Sequence, residues 1–106
     1  MQRDVTTRRE ILELIAARTR EGRTTSFRTL VRELSLSEES ACEYLKRLWR
    51  ERLLKSPDRP TRFAFRLEPG ESLRDLRFKI HKRGLSRLKW WEQEERREDE
   101  EEELFS

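Results

Sequence analysis

Ser26-Phe27-Arg28-Thr29-Leu30-Val31-Arg32-Glu33-Leu34, then Ser35-Leu36-Ser37, then Glu38 through Arg50 is the stretch whose reading decides the fold. Phe27, Leu30, Val31 and Leu34 stand at i, i+3, i+4 and i+7. That spacing lays an apolar stripe along one face of an α-helix, and Ser26 precedes it as an N-cap hydroxyl. Ser35-Leu36-Ser37 leaves room only for a tight turn, with Leu36 expected to plug the junction and Ser37 to cap a second helix. The second helix turns Ala41, Leu45 and Leu48 inward with Trp49 at the margin, and the small Ala41 lets the two helices approach closely. Two helices joined through so short a turn form a helix-turn-helix.

Upstream, Thr7-Arg8-Arg9-Glu10 has the Thr-x-x-Glu form of a capping box and is read as the start of a first helix. Its inward positions are Ile11, Leu12, Leu14, Ile15, Ala16 and Arg18, and Glu21-Gly22 ends it. Downstream, Leu53-Leu54-Lys55 leads into the turn Ser56-Pro57-Asp58-Arg59-Pro60. In Thr61–Leu67, Phe63, Phe65 and Leu67 alternate with Arg62, Ala64 and Arg66, the pattern of a strand with one buried face. A basic hairpin beside a helix-turn-helix is a wing. Past Pro69-Gly70 the pattern is double: Ser72 can cap a helix carrying Leu73, Leu76 and Ile80 inward, yet residues 76–82 also alternate as a strand. Gly84 is read as a break, and Leu85 to Arg97 as a helix with Leu88 and Trp91 on one side. Carboxylates at a helix C-terminus oppose its dipole, so the final acidic block is expected to fray. The fold class is therefore mainly α with a small β-hairpin. It comprises a winged helix-turn-helix over residues 1–67, a C-terminal helical extension over 68–97 serving dimerisation, and an acidic disordered tail over 98–106.

With 106 residues, 33% apolar and 44% charged, the chain can bury one modest core. The single cysteine, Cys42, excludes an internal disulfide framework, and no His/Cys cluster has metal-ligand spacing. No apolar run reaches the roughly 18 residues of a membrane span, and the charged N-terminus lacks a signal peptide's apolar stretch. These readings lead to an intracellular, nucleoid-associated protein in the cytoplasm. The net charge of +3 conceals a division along the chain. From Glu92 onward nine carboxylates face Arg96 and Arg97, a local charge of −7, which leaves +10 on the remainder. So basic a body favours a polyanion, because each cation that neutralises a phosphate releases a condensed counterion.

Thr-Arg-Arg-Glu-Ile-Leu (7–12), Ser-Phe-Arg-Thr-Leu (26–30), Leu-Ser-Leu-Ser (34–37), Tyr-Leu-Lys-Arg-Leu (44–48) and Pro-Asp-Arg-Pro (57–60) together resemble the DNA-binding domain of LexA-type repressors. Residues 5–67 carry the resemblance and also look like the broader MarR/ArsR winged-helix class. It implies that the third helix enters a major groove through Glu38, Glu39, Ser40, Glu43 and Arg47 while the hairpin touches an adjacent groove or phosphates. Three features depart from the pattern. The few dozen residues after Leu67 leave no room for the family's self-cleaving domain. Arg52 stands where such folds often place a glycine, and Glu38, Glu39 and Glu43 occupy positions that should face base edges.

The expected DNA-contacting residues are Arg28, Ser37, Ser40, Glu43, Tyr44, Lys46, Arg47 and Arg50, with Arg59 and Arg62 in the wing. Glu43 can accept a hydrogen bond from a cytosine amino group or pair with Arg47 one turn on. Glu38 and Glu39 also suit the positive end of a helix dipole. Leu85, Leu88, Trp90 and Trp91 are the expected dimer contact, since a small core leaves little room for two adjacent tryptophans. The tail can be a solvating end, an intramolecular phosphate mimic, or an interaction tail ending in Leu104-Phe105. Cys42 reads as an inert thiol, and His81 has no carboxylate partner in sequence. The resulting expectation is a non-enzymatic, cofactor-free, sequence-specific duplex-DNA-binding protein. It acts as a homodimeric regulator, with no membrane or small-molecule partner. The alternatives are a protein-interaction winged helix that binds the transcription or replication machinery, and a DNA-binding accessory factor in phage or plasmid replication or recombination.

Overall fold

The computed structural model describes residues 2–58, 69–70 and 72–105, with side chains described between 6 and 100. In chain order the elements are α1 (Gln2–Arg20), β1 (Thr25–Ser26), α2 (Phe27–Leu34), α3 (Glu38–Arg50), β2 (Leu54–Lys55), a 3₁₀ turn (Leu73–Asp75), β3 (Arg77–Ile80) and α4 (Lys82–Phe105). The fold is mainly helical with a three-stranded antiparallel sheet of order β1-β3-β2. In register, Thr25 faces Phe78 and Ser26 faces Arg77 on one side, while Leu54 faces Ile80 and Lys55 faces Lys79 on the other.

The two readings of residues 72–82 each hold over part of the segment. Ser72 accepts a hydrogen bond from the Arg74 amide at 3.2 Å and starts the 3₁₀ turn, after which the chain extends as β3. Along β3, Phe78 and Ile80 are buried and Arg77 is exposed, the period-2 pattern of a strand covered on one face. Periodicity alone could not choose, because the short strand is fixed by ladders to β1 and β2 from elsewhere in the chain. The predicted partner of β2 was the stretch 61–67, which lies outside the described residues. Among those described, β2 pairs with β3.

One core runs from Ile11 to Trp91 and draws on every element except β1. Trp49, expected at the margin of α3, is 3% exposed and meets Phe78 edge-on, with ring centroids 6.0 Å apart. The Thr19 hydroxyl donates to the Ile15 carbonyl at 2.7 Å and accepts from the Ile80 amide at 3.1 Å, tying α1 to the central strand. Arg18, placed on the inward face by spacing, donates twice to the Thr24 carbonyl and closes the α1–β1 turn. Asp58 receives the Arg77 backbone amide at 3.0 Å and its guanidinium at 2.6 Å. The guanidinium, assisted by that amide, holds the Asp58 carboxyl below the usual carboxylate range against the opposing effect of burial.

Five expectations change. The helix read from Thr7 begins at Gln2, because no Gly or Pro interrupts residues 2–7 and extending a helix is far easier than nucleating one. The acidic end is not frayed: α4 is helical to Phe105, since Glu is a good helix former and Arg96 reaches Glu92 at 2.8 Å. Gly84 does not break the chain; it sits buried inside the first turn of α4. A boundary after Leu67 would remove the central strand and five core residues, Leu73, Leu76, Phe78, Ile80 and Trp91. The tryptophan pair divides. Trp91 is 8% exposed in the intramolecular core, with the Arg8 and Arg87 guanidiniums 6.0 and 5.8 Å from its ring. Leu88 packs against the same core, and only Leu85 and Trp90 stay exposed.

Arg52 adopts φ 62°, the left-handed conformation in which a non-glycine residue costs about 1–2 kcal/mol. The glycine requirement after helix 3 is therefore real, and this chain meets it with arginine. Gly84 answers a different constraint. An added Cβ would collide with the Leu53 carbonyl and lie 2.6 Å from Ile80 Cδ1. Gly84→Ala is expected to lower stability by about 1–3 kcal/mol in urea unfolding, opposite in sign to the roughly 1 kcal/mol gain of the same change in an open helix.

His81 caps α4. Its Nδ1 accepts from the Arg83 amide at 3.1 Å, so that nitrogen is unprotonated, while its carbonyl accepts from Gly84 at 2.8 Å and Leu85 at 3.1 Å. Burial, then the charges of Lys55, Arg83 and Lys82, hold its pKa below the ordinary 6.5. A group with a depressed folded pKa stabilises fully above its unfolded value and loses that contribution as pH falls through the folded one. Unfolding free energy should therefore decline as pH drops from about 6.5, well above the window, below the ordinary carboxylate range, in which Asp58 titrates. His81→Asn, which keeps an acceptor at the cap, should flatten the upper window and leave the lower one.

Candidate nucleic-acid interface

Local chemistry fixes α3 at its entrance. The Ser26 hydroxyl accepts from the Thr29 amide at 3.2 Å and starts α2. Ser35 ends α2 in a left-handed conformation (φ 51°) with its amide on the Val31 carbonyl, and the Leu36 amide reaches the same carbonyl at 3.2 Å. Leu36 packs against the core as its place in the turn suggested. Ser37 then caps α3, its hydroxyl accepting from the Ser40 amide at 3.1 Å. With Ala41, Leu45, Leu48 and Trp49 buried, the other side of α3 faces outward.

That outward side is a shallow open concavity of about 750 Å³ lined by Glu39, Ser40, Glu43, Tyr44, Lys46, Arg47 and Arg50. Six of these seven are expected DNA-contacting residues, and the seventh, Glu39, is one that the resemblance turns toward the groove. Arg28, in the first turn of α2, is exposed. Among the described residues Arg28, Arg47 and Arg50 have no ion-pair partner, while Lys46 reaches Glu43 at 3.9 Å. Ser37 is exposed, with its hydroxyl engaged as the cap of α3. Arg59 and Arg62 lie outside the described residues.

Charge along α3 follows its dipole, with Glu38 and Glu39 in the first turn and Arg47 and Arg50 in the last. Each such placement stabilises an exposed helix by about 0.3–1 kcal/mol. Sequence reading missed Arg74, which the 3₁₀ turn carries to the start of both helices. Its guanidinium lies 3.5 Å from the Glu38 carboxylate and 5.5 Å from the centroid of the Phe27 ring. One of the three carboxylates that would repel a polyanion is thus paired, and Glu43 has a cation beside it. The clue in the sequence was the Ser72 cap, which sets where Arg74 emerges; what it meets depends on the tertiary fold. The later half of α3 can bind anions, and Glu43 can accept from a base amino group.

No group of three His, Cys, Asp or Glu among the described residues could hold a metal ion, and no helix is long and apolar enough to cross a membrane. Comparisons with protein-family models, with curated proteins and with solved structures find no match to this chain.

Ser37 and Ser40 separate cap from contact. Ser37→Ala should cost about 1 kcal/mol of stability through the lost cap, whereas Ser40→Ala, at an exposed site, should stay within about 0.5 kcal/mol. Thermal unfolding of both variants measures this.

Proposed function

We propose that this chain is a winged helix-turn-helix protein that binds duplex DNA sequence-specifically as a homodimer. It is a small, nucleoid-associated transcriptional regulator that represses by occluding its site, without enzymatic activity or cofactor. The carrying observation is the outward side of α3, where Arg47 and Arg50 have no ion-pair partner among the described residues and the helix follows α2 through a short capped turn. Support comes from the β2–β3 antiparallel pair that follows α3, because the connection between those strands contains Arg59 and Arg62, as a wing requires. The body charge of +10 outside the acidic segment suits a phosphate backbone. In this reading Arg28, Lys46, Arg47 and Arg50 hold the backbone, while Ser40, Glu43 and Tyr44 meet base edges or sugar.

One observation favours a second reading, a protein-interaction module for a basic component of the transcription or replication machinery. Glu39 is exposed and has no ion-pair partner among the described residues. An accessory role in replication or recombination would use the same DNA chemistry as regulation.

Salt dependence discriminates between the binding classes. A protein making six or more phosphate contacts should lose on the order of 10³-fold in duplex affinity between about 50 and 200 mM salt. Arg47→Ala combined with Arg50→Ala should weaken binding across sequences and lower the salt slope by about two contacts. Fluorescence anisotropy with cognate-enriched and random duplexes measures both. An unchanged affinity and slope in the double variant would remove α3 from the interface, and weak, salt-indifferent adsorption would favour the protein-partner module.

A further inference from the structure

α4 carries its charges the wrong way round. Its first turn holds no carboxylate and its last turn no cation. Lys82, Arg83, Arg87 and Lys89 make the segment before Trp91 wholly basic, and nine carboxylates against Arg96 and Arg97 make the segment after it acidic. Both ends oppose the helix dipole, which favours acids at the N-terminus and bases at the C-terminus. Contacts within the chain relieve little of this. Arg87 pairs with Glu51 at 3.3 Å and Glu95 with Arg9 at 2.6 Å. Lys82, Arg83 and Lys89 at one end, and Glu98, Asp99 and Glu100 at the other, are exposed and have no ion-pair partner among the described residues. Because the acidic end continues α4 as helix to Phe105, it cannot fold back onto the cations at the start of the same helix about 20 Å or more away.

The arrangement complements itself when a second α4 lies alongside in the opposite direction. The basic half of each helix then meets the acidic half of the other, and the two macrodipoles run antiparallel. The two exposed large apolar side chains of the described chain, Leu85 at 41% and Trp90 at 53%, lie on α4 and would be covered in part. A parallel pair would oppose like charges along its whole length. We infer that a second copy of this chain docks on the outer side of α4, antiparallel about a two-fold axis near Gln93, and that opposite charge rather than apolar area holds the pair together. This specifies the homodimer of the reading above and rests on that part of it, not on the DNA contacts. It replaces the intramolecular phosphate mimic with an intermolecular role for the acidic segment.

Sedimentation of the full chain without DNA tests the association. At about 50 mM salt the expected mass is twice the 13.0 kDa monomer, falling to the monomer near 1 M, where screening reaches about 3 Å. Lys82→Glu with Arg83→Glu, and separately Glu100→Lys, should each leave a monomer at low salt, and mixing the two variants should restore the dimer. Circular dichroism confirms that α4 stays helical in each. Orientation is read by disulfide formation in a Cys42→Ser background. Ser86→Cys should link to Glu100→Cys on the partner and not to a second Ser86→Cys. A monomer at low salt, a dimer indifferent to both reversals, or a link between two Ser86→Cys chains would each overturn the inference. A dimer without duplex affinity would instead overturn the DNA reading alone, and duplex binding by a monomer would overturn only the α4 pairing.

Discussion

Everything in this molecule depends on β3 having a partner on each edge. A four-residue strand has too few ladder hydrogen bonds to persist by itself, and Arg77–Ile80 is held by β1 on one side and β2 on the other. Thr19 adds a hydrogen bond from α1 at the Ile80 amide. Once held, the strand drives Phe78 and Ile80 into the core, where Phe78 meets Trp49 from the inward side of α3. The outward side of α3 is thereby aimed by a strand some thirty residues further along the chain. β1 and β2 flank α2 and α3 in sequence, so the sheet closes around those two helices and sets the angle at which α3 is presented.

Two helices of similar composition use charge in opposite ways. In α3 acids lead and bases follow, in accord with the dipole, and Arg74 and Lys46 lie near two of its carboxylates. The helix is stable without a ligand while its last two arginines remain available to an anion. In α4 the order is reversed, and helicity is sustained by side-chain pairs such as Glu92–Arg96 and by packing on α1. Such a helix gains from external charge, whereas α3 needs none.

The Arg8, Glu51, Arg87 and Trp91 cluster joins the start, middle and end of the chain. Arg8 is almost buried, lies 3.6 Å from Glu51 and stacks near Trp91, while Arg87 reaches Glu51 from α4. The Arg8 Nε and Glu51 Oε2 make no hydrogen bond, so the cluster is incompletely satisfied. Partly satisfied buried charge stabilises little and is costly to break from one side. Its effect here is to fix α4 against α1 and so set which face of α4 looks outward.

The sequence by itself determined the segment of two capped helices, α2 and α3, and the short turn between them. Ser26 and Ser37 act on amides three residues away, and the stripes Phe27–Leu34 and Ala41–Leu48 repeat within two or three turns, so local spacing carries the information. The lining of the outward α3 surface followed, being the complement of the buried stripe. Left-handed Arg52 was legible as a missing glycine. Only the tertiary structure decided the rest: the strand at 77–80, the burial of Trp91, the helical acidic end and the place of Arg74. Each depends on a partner far away in sequence. A four-residue strand exists only against its neighbours, and one tryptophan of an adjacent pair is buried only because α1 lies beneath it. No local periodicity encodes which distant surface a segment will meet.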